Sequence, residues 1–191
     1  MWEKQLCVAA LFAAITTVYC NGCSGGGSVG QWYIQDFLNT REPIWVYNST
    51  ATKKALCKVD VLSPIIGRRI EFERLFIQDL KTVRQNLTGT LHTRQLDRIY
   101  ISISGQDCQQ EQLMFMPNDH NCAVIMVTVN PGNTRYYELR VRNSSISAPL
   151  DYECQKNFDT YRQSQQGYPV YTRDCQRILE PGCRTRLCYF S

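Results

Sequence analysis

Tyr136, Glu138, Arg140 and Arg142 occupy alternate positions of one β-rich run. Alternate residues of a strand share a face, so this run sets a phenol, a carboxylate and two guanidiniums on one surface. Asn143 opens an Asn-Ser-Ser glycosylation sequon and must face outward to carry a glycan. That turns Tyr136, Glu138, Arg140 and Arg142 inward, with Leu139 and Val141 outward beneath whatever covers them. A carboxylate among aromatic faces binds an ammonium. A guanidinium instead holds a ligand carboxylate. Arg140 therefore has three readings: neutralising Glu138, contacting an acidic ligand, or lying solvated at a barrel mouth; Arg142 shares the last two.

The same alternation, counted back from the sequon Asn48-Ser49-Thr50, turns Trp45 and Tyr47 inward and Ile44 and Val46 outward, provided no bulge intervenes. Tyr100 and Phe115 are further wall candidates. Asp60 and Glu71 are weaker ones, since strand carboxylates usually face water, and inward aromatics are often ordinary core. Catalysis is not expected. His92 and His120 are the only histidines, and neither sits in a motif that would pair it with a nucleophile.

The elements that position these residues are short. Residues 31–38 read as a helix broken at Pro43. Nine β-rich runs follow at 44–48, 55–62, 69–77, 81–87, 91–94, 98–104, 112–116, 123–129 and 136–143. Several are separated by turn signals such as Thr88-Gly89 and Pro131-Gly132. Leu150, Cys154, Phe158 and Tyr161 then recur at helical spacing, which predicts an amphipathic helix over 150–164 with Pro149 in its first turn. Residues 168–174 read as a last extended piece. Many short strands plus one late helix predict a barrel or sandwich.

Export is written at the N-terminus. A short polar start with Lys4 leads into the apolar run 6–18, and small residues follow. This is the order of a signal peptide over 1–22, with cleavage after Cys20 or Gly22. About 170 residues remain, enough for one domain over 23–191. Its leader at about 24–30 is Gly/Ser-rich, and its tail at about 175–191 is cysteine-rich. Of ten cysteines, Cys7 and Cys20 leave with the peptide. Cys23, Cys57, Cys108, Cys122, Cys154, Cys175, Cys183 and Cys188 remain, an even set that implies disulfides in an exported chain. They form no Cys-x-x-Cys doublet, so no zinc or other metal is expected. Asn48, Asn86 and Asn143 each head a sequon and are expected to be glycosylated and exposed. The net charge of +4 is scattered, which argues against a nucleic-acid partner, and no second apolar stretch is long enough to span a membrane.

Two segments carry a resemblance. Asp36-Phe37-Leu38-Asn39-Thr40-Arg41-Glu42-Pro43-Ile44-Trp45-Val46-Tyr47-Asn48 with Cys57-Lys58-Val59-Asp60, and Asn121-Cys122-Ala123-Val124 with Tyr137-Glu138-Leu139, Cys154, Phe158 and Val170-Tyr171-Thr172-Arg173-Asp174-Cys175, resemble tick salivary lipocalins. Gly30-Gln31-Trp32 also matches the general lipocalin Gly-x-Trp signature. The likeness runs from about residue 35 to 176 and includes the histamine-binding proteins. It implies a mainly β fold, an eight-stranded antiparallel lipocalin barrel with a short N-terminal helix and one C-terminal α-helix. It also implies the disulfides Cys57–Cys175 and Cys122–Cys154, and leaves Cys23, Cys108, Cys183 and Cys188 unassigned.

In function, the resemblance implies a secreted monomer without cofactor that sequesters a biogenic amine such as histamine or serotonin and so suppresses host defence. The sequence departs from the family's amine pattern, Cys-Asp-apolar followed by Glu-Leu-aromatic. Ala123 replaces the acid and Arg140 the aromatic, while Glu138 survives, so weaker amine binding is expected. Arg140 keeps open a scavenger of an acidic lipid or eicosanoid. The loop 183–188, with basic residues between two cysteines, keeps open binding of a host protein such as a protease or complement component.

Overall fold

The computed structural model describes residues 32–103, 108–130 and 134–181. The expected signal peptide and leader, the Gly30-Gln31 part of the Gly-x-Trp signature, and Cys23, Cys183 and Cys188 lie outside them.

A short helix α1 (Ile34–Leu38) precedes eight strands: β1 (Ile44–Ser49), β2 (Leu56–Leu62), β3 (Arg69–Gln78), β4 (Lys81–Leu91), β5 (Arg98–Ser102), β6 (Cys108–Phe115), β7 (Cys122–Asn130) and β8 (Thr134–Arg142). Each pairs antiparallel with the next, and β1 pairs with both β8 and β2, which closes the barrel. Helix α2 (Tyr152–Arg162) follows, then a two-residue strand β9 (Tyr168–Pro169) on β1 and a 3₁₀ segment (Arg173–Leu179). Helix α2 is shorter than expected. Asp151, not Pro149, starts it, because its side chain accepts a hydrogen bond from the Cys154 backbone N–H.

The expected run 81–87 extends to Leu91 in one strand, β4, whereas 92–94 of the expected run 91–94 form no strand. The Thr88-Gly89 turn signal is spurious: Gly89 lies inside β4, where a Cβ would stand 2.5 Å from Ile99 Cδ1 and 2.9 Å from Ile70 Cγ2. Glycine serves close approach here, not a turn.

Two apolar clusters follow from the alternation. The inner one fills the closed end with Ile44, Leu62, Ile70, Phe72, Leu87, Ile99, Ile101, Leu113, Ala123 and Ile125, capped by Ile34, Phe37 and Leu38 of α1. The outer one lies between the barrel wall and the C-terminal segments. There Trp45, Val59, Leu75, Val124, Leu139 and Val141 meet Cys154, Phe158 and Ile178. The disulfides tie this cover down: Cys57–Cys175 and Cys122–Cys154, with Cα separations of 5.0 and 6.4 Å. These are the pairs that the resemblance implied.

Strand β1 splits from β2 beyond Trp45. Residues 168–170 enter the gap: β9 pairs with Asn48 and Ser49, Val170 N–H donates to Tyr47 O, and Cys57 N–H donates to Val170 O. The C-terminal segment thus closes the barrel seam at its open end.

Candidate ligand site

The open end holds a cavity of about 370 Å³. Val46, Phe76, Ile103, Val129 and Val170 supply its apolar walls, and Lys58, Arg74, Gln109, Tyr136 and Glu138 its polar floor. The floor caps a layer of buried charge. Lys58 Nζ donates to Glu138 Oε1 at 2.6 Å. Arg140 donates to Glu138 Oε2 through Nη2 at 2.6 Å and Nε at 2.9 Å, and to both oxygens of Glu111 at 2.7 Å. Arg74 grips Asp60 through Nε and Nη2 at 2.7 and 2.8 Å and reaches Glu111 at 2.9 Å. Gln109 Nε2 donates to Glu111 Oε1 at 2.6 Å. Lys58, Arg74 and Arg140 therefore balance Asp60, Glu111 and Glu138, all six buried.

The network sets the protonation states. Burial pushes the Glu138 carboxyl up, but the Lys58, Arg140 and Arg74 charges outweigh it and hold the group below its ordinary value. Burial opposes ionisation of Glu111 too, and Arg140 and Arg74 hold it far below the usual range. Burial lowers Lys58 despite the Glu138 charge. Lys58 is thus the one cation of the three whose proton burial loosens on balance. Burial, reinforced by Glu138, raises the Tyr136 phenol and keeps it neutral.

On β8 the inward set is the expected one: Tyr136 and Glu138 reach the cavity, Arg140 lies buried in the charge layer beneath, and Arg142 packs at 5.8 Å over the Phe37 ring at the closed end. The solvated reading of Arg140 is corrected, since it is 1% exposed. On β1 the expected orientation is reversed. The register shifts between Val46 and Asn48, so Tyr47 is an extra residue. Asn48 pairs with outward Leu139 and shares its face, as the sequon reading required, but counting back across the bulge inverts the rest. Val46 faces the cavity, while Trp45 and Tyr47 lie outside, against Tyr171.

Phe115 is also misplaced. A register shift after inward Leu113 turns it out of the barrel, and it meets Trp32 edge-on at 5.5 Å between ring centroids. Tyr100 alternates with inward Ile99 and Ile101, and sits outside beside His92. Asp60 is buried in the charge layer rather than water-facing, whereas Glu71 is exposed and pairs with Arg69 at 2.9 Å. Asn86 is exposed, but Asn48 and Asn143 are only partly so. Asn143 Oδ1 accepts hydrogen bonds from Trp45 Nε1 and Gln176 Nε2, which draws it against the wall.

Lys58, Arg74, Gln109 and Glu111 were missed. For three of them the signal was present: Ile70, Phe72, Arg74 and Phe76 share one face of β3, and Gln109, Glu111 and Leu113 one face of β6. A charge in register with core residues is an inward charge.

A closed eight-stranded antiparallel barrel, with a cavity at one end and a helix packed on its wall after the last long strand, is a lipocalin. A family model described as tick histamine binding protein matches residues 76–177, and the chain belongs to that family. Among solved structures, AM182 in its serotonin complex matches with a TM-score of 0.60 and 19% identity, over 81% of this chain and 97% of that one. The siderocalin Ex-FABP matches at 0.54 and 10% identity, over 70% and 94%. Apocrustacyanin C2 matches at 0.52 and 10%, over 69% and 76%. At these identities the structural matches establish the fold alone. No curated protein sequence matches the chain.

Proposed function

We propose that this protein is a secreted lipocalin that sequesters a small host mediator, a biogenic amine such as histamine or serotonin, in the cavity at its barrel mouth, and so suppresses host defence. The observation that carries this reading is the Glu138 carboxylate on the floor of an apolar-walled cavity, beside the neutral Tyr136 phenol. Membership of the histamine-binding family supports it, and so does the serotonin bound by AM182. The protein acts as a monomeric binder without cofactor or metal, released by removal of residues 1–22 and glycosylated at its sequons. Two disulfides agree with export.

An incoming ammonium must share Glu138 with Lys58 and Arg140, so the expected amine affinity is modest. Calorimetry with histamine and serotonin tests the reading. Glu138→Gln should lower affinity by about one to two decades. Tight amine binding that survives this change would remove Glu138 from the site, and the absence of any amine binding would reject the amine.

A second ligand class is favoured by a separate observation. Lys58, Arg74 and Gln109 bring donors to the same floor, which suits the acid group of a fatty acid or eicosanoid. Binding of an acidic lipid that is lost in Arg74→Met would establish it. The open cavity favours either small molecule over capture of a host protein.

A further inference from the structure

Lys58 holds one oxygen of the Glu138 carboxylate at the cavity floor. Its Nζ lies 2.6 Å from Glu138 Oε1, while Glu138 Oε2 is taken by Arg140. Arg140 is 1% exposed and does not line the cavity; Lys58 lines it, with 11% of its side chain exposed. An ammonium carries three N–H donors, and among the described residues Lys58 uses one.

We propose that Lys58 is a built-in occupant of the amine site: its ammonium fills one oxygen of Glu138 at the cavity floor, so that an amine ligand must displace or share it and binds more weakly than the carboxylate alone would allow. The proposal deepens the reading above, because it takes Glu138 to be the amine acceptor. Charge balance is the reason. With Lys58 present, Lys58, Arg74 and Arg140 neutralise Asp60, Glu111 and Glu138, and an added ammonium brings an uncompensated charge into a buried layer. Without Lys58, Glu138 keeps a bare oxygen under apolar walls, and a ligand ammonium restores neutrality. Lys58 is also the replaceable member of the network, since it hangs on a flexible stem at the cavity edge and burial weakens its hold on a proton.

The test is calorimetry with histamine and serotonin on the wild type, Lys58→Met, Lys58→Gln, Lys58→Arg and the double variant Lys58→Met/Glu138→Gln. Lys58→Gln keeps a hydrogen-bond donor for Glu138, and so remains informative if Lys58→Met folds poorly. Both uncharged variants should bind amines about tenfold or more tighter than the wild type, equal to about 1.4 kcal/mol or more. Lys58→Arg should stay as weak as the wild type, and the double variant should lose the gain. Uncharged variants that bind no tighter than the wild type overturn the proposal, as does a gain that persists without the Glu138 carboxylate. The two readings separate cleanly. Wild-type amine binding that is unchanged or weakened in Lys58→Gln sinks this proposal and leaves the amine function standing. Binding by the uncharged variants alone does the reverse.

Discussion

Arg140 on β8 meets Glu111 on β6 with two parallel hydrogen bonds, Nη1 to Oε2 and Nη2 to Oε1, each 2.7 Å long. The pair crosses the barrel interior beneath the cavity, and Arg140 holds Glu138 as well. Charge in a core is tolerated when every partner is present, and removal of one partner strands the rest. Arg140→Met leaves Lys58 and Arg74 to balance three carboxylates, Asp60, Glu111 and Glu138. It should destabilise the protein by about 3–5 kcal/mol in urea unfolding with the disulfides intact. A change below about 1 kcal/mol would mean that water reaches the layer and shields it.

Acid should undo the same layer. Glu111 and Glu138 are held below the ordinary carboxylate range by the cations around them, whereas in the unfolded chain a glutamate titrates near about 4.3. Between those limits the unfolded chain binds more protons, so stability falls as pH falls. The contribution is complete above about pH 5 and is lost as pH drops through the folded values. Urea unfolding from pH 7 down to pH 2 should show this steep limb, and Glu111→Gln should flatten it. Identical limbs in the two proteins would place the acid sensitivity elsewhere, with Glu42 and Asp159 as the surface carboxylates whose hydrogen bonds lower them.

The Cys57–Cys175 bridge should matter for the cavity as well as for the fold. Val170 bonds Tyr47 on one side and Cys57 on the other, and Tyr168 and Val170 line the cavity. Replacing both cysteines by serine opens a 118-residue span, which costs about 2–5 kcal/mol. The seam should then fray before the barrel does. Limited proteolysis should cut the double variant between residues 163 and 175 under conditions where the wild type resists, and small-ligand binding should weaken in parallel. Equal protection of both would show that the seam holds without its clasp.

What the sequence disclosed followed from periodicity, and what it hid followed from breaks in periodicity. The inward set on β8 was legible because that strand pairs regularly with β7 from end to end. Trp45 was misread because one extra residue reverses every side chain on the far side of a bulge, and nothing in 44–48 announces the insertion. Tyr100 and Phe115 were named as wall candidates on residue type with no count of alternation, and Tyr100 faces out even though its strand pairs regularly. Gly89 reads as a turn because glycine breaks strands more often than it makes room inside a barrel. The charge layer was only half visible. Glu138 and Arg140 lie two residues apart, but their partners Lys58 and Glu111 come from β2 and β6, and only closure of the barrel brings them together.

Asn143 should separate two effects that a sequon mutation usually confounds. Its Oδ1 accepts hydrogen bonds from Trp45 Nε1 and Gln176 Nε2, each at 2.9 Å. A glycan attaches through Nδ2 and leaves Oδ1 free to accept, so glycosylation and this contact are compatible. Asn143→Gln removes the sequon but also moves the carboxamide by one methylene and strands the buried Trp45 indole N–H. Ser145→Ala removes the sequon and leaves the carboxamide in place. In protein made without glycans, Asn143→Gln should lose about 1–3 kcal/mol of stability while Ser145→Ala loses little. In protein from a glycosylating host, both variants should drop by one glycan in mass. Equal stability of the two unglycosylated variants would show that the Trp45 contact contributes nothing. An unchanged mass would show that Asn143 carries no glycan.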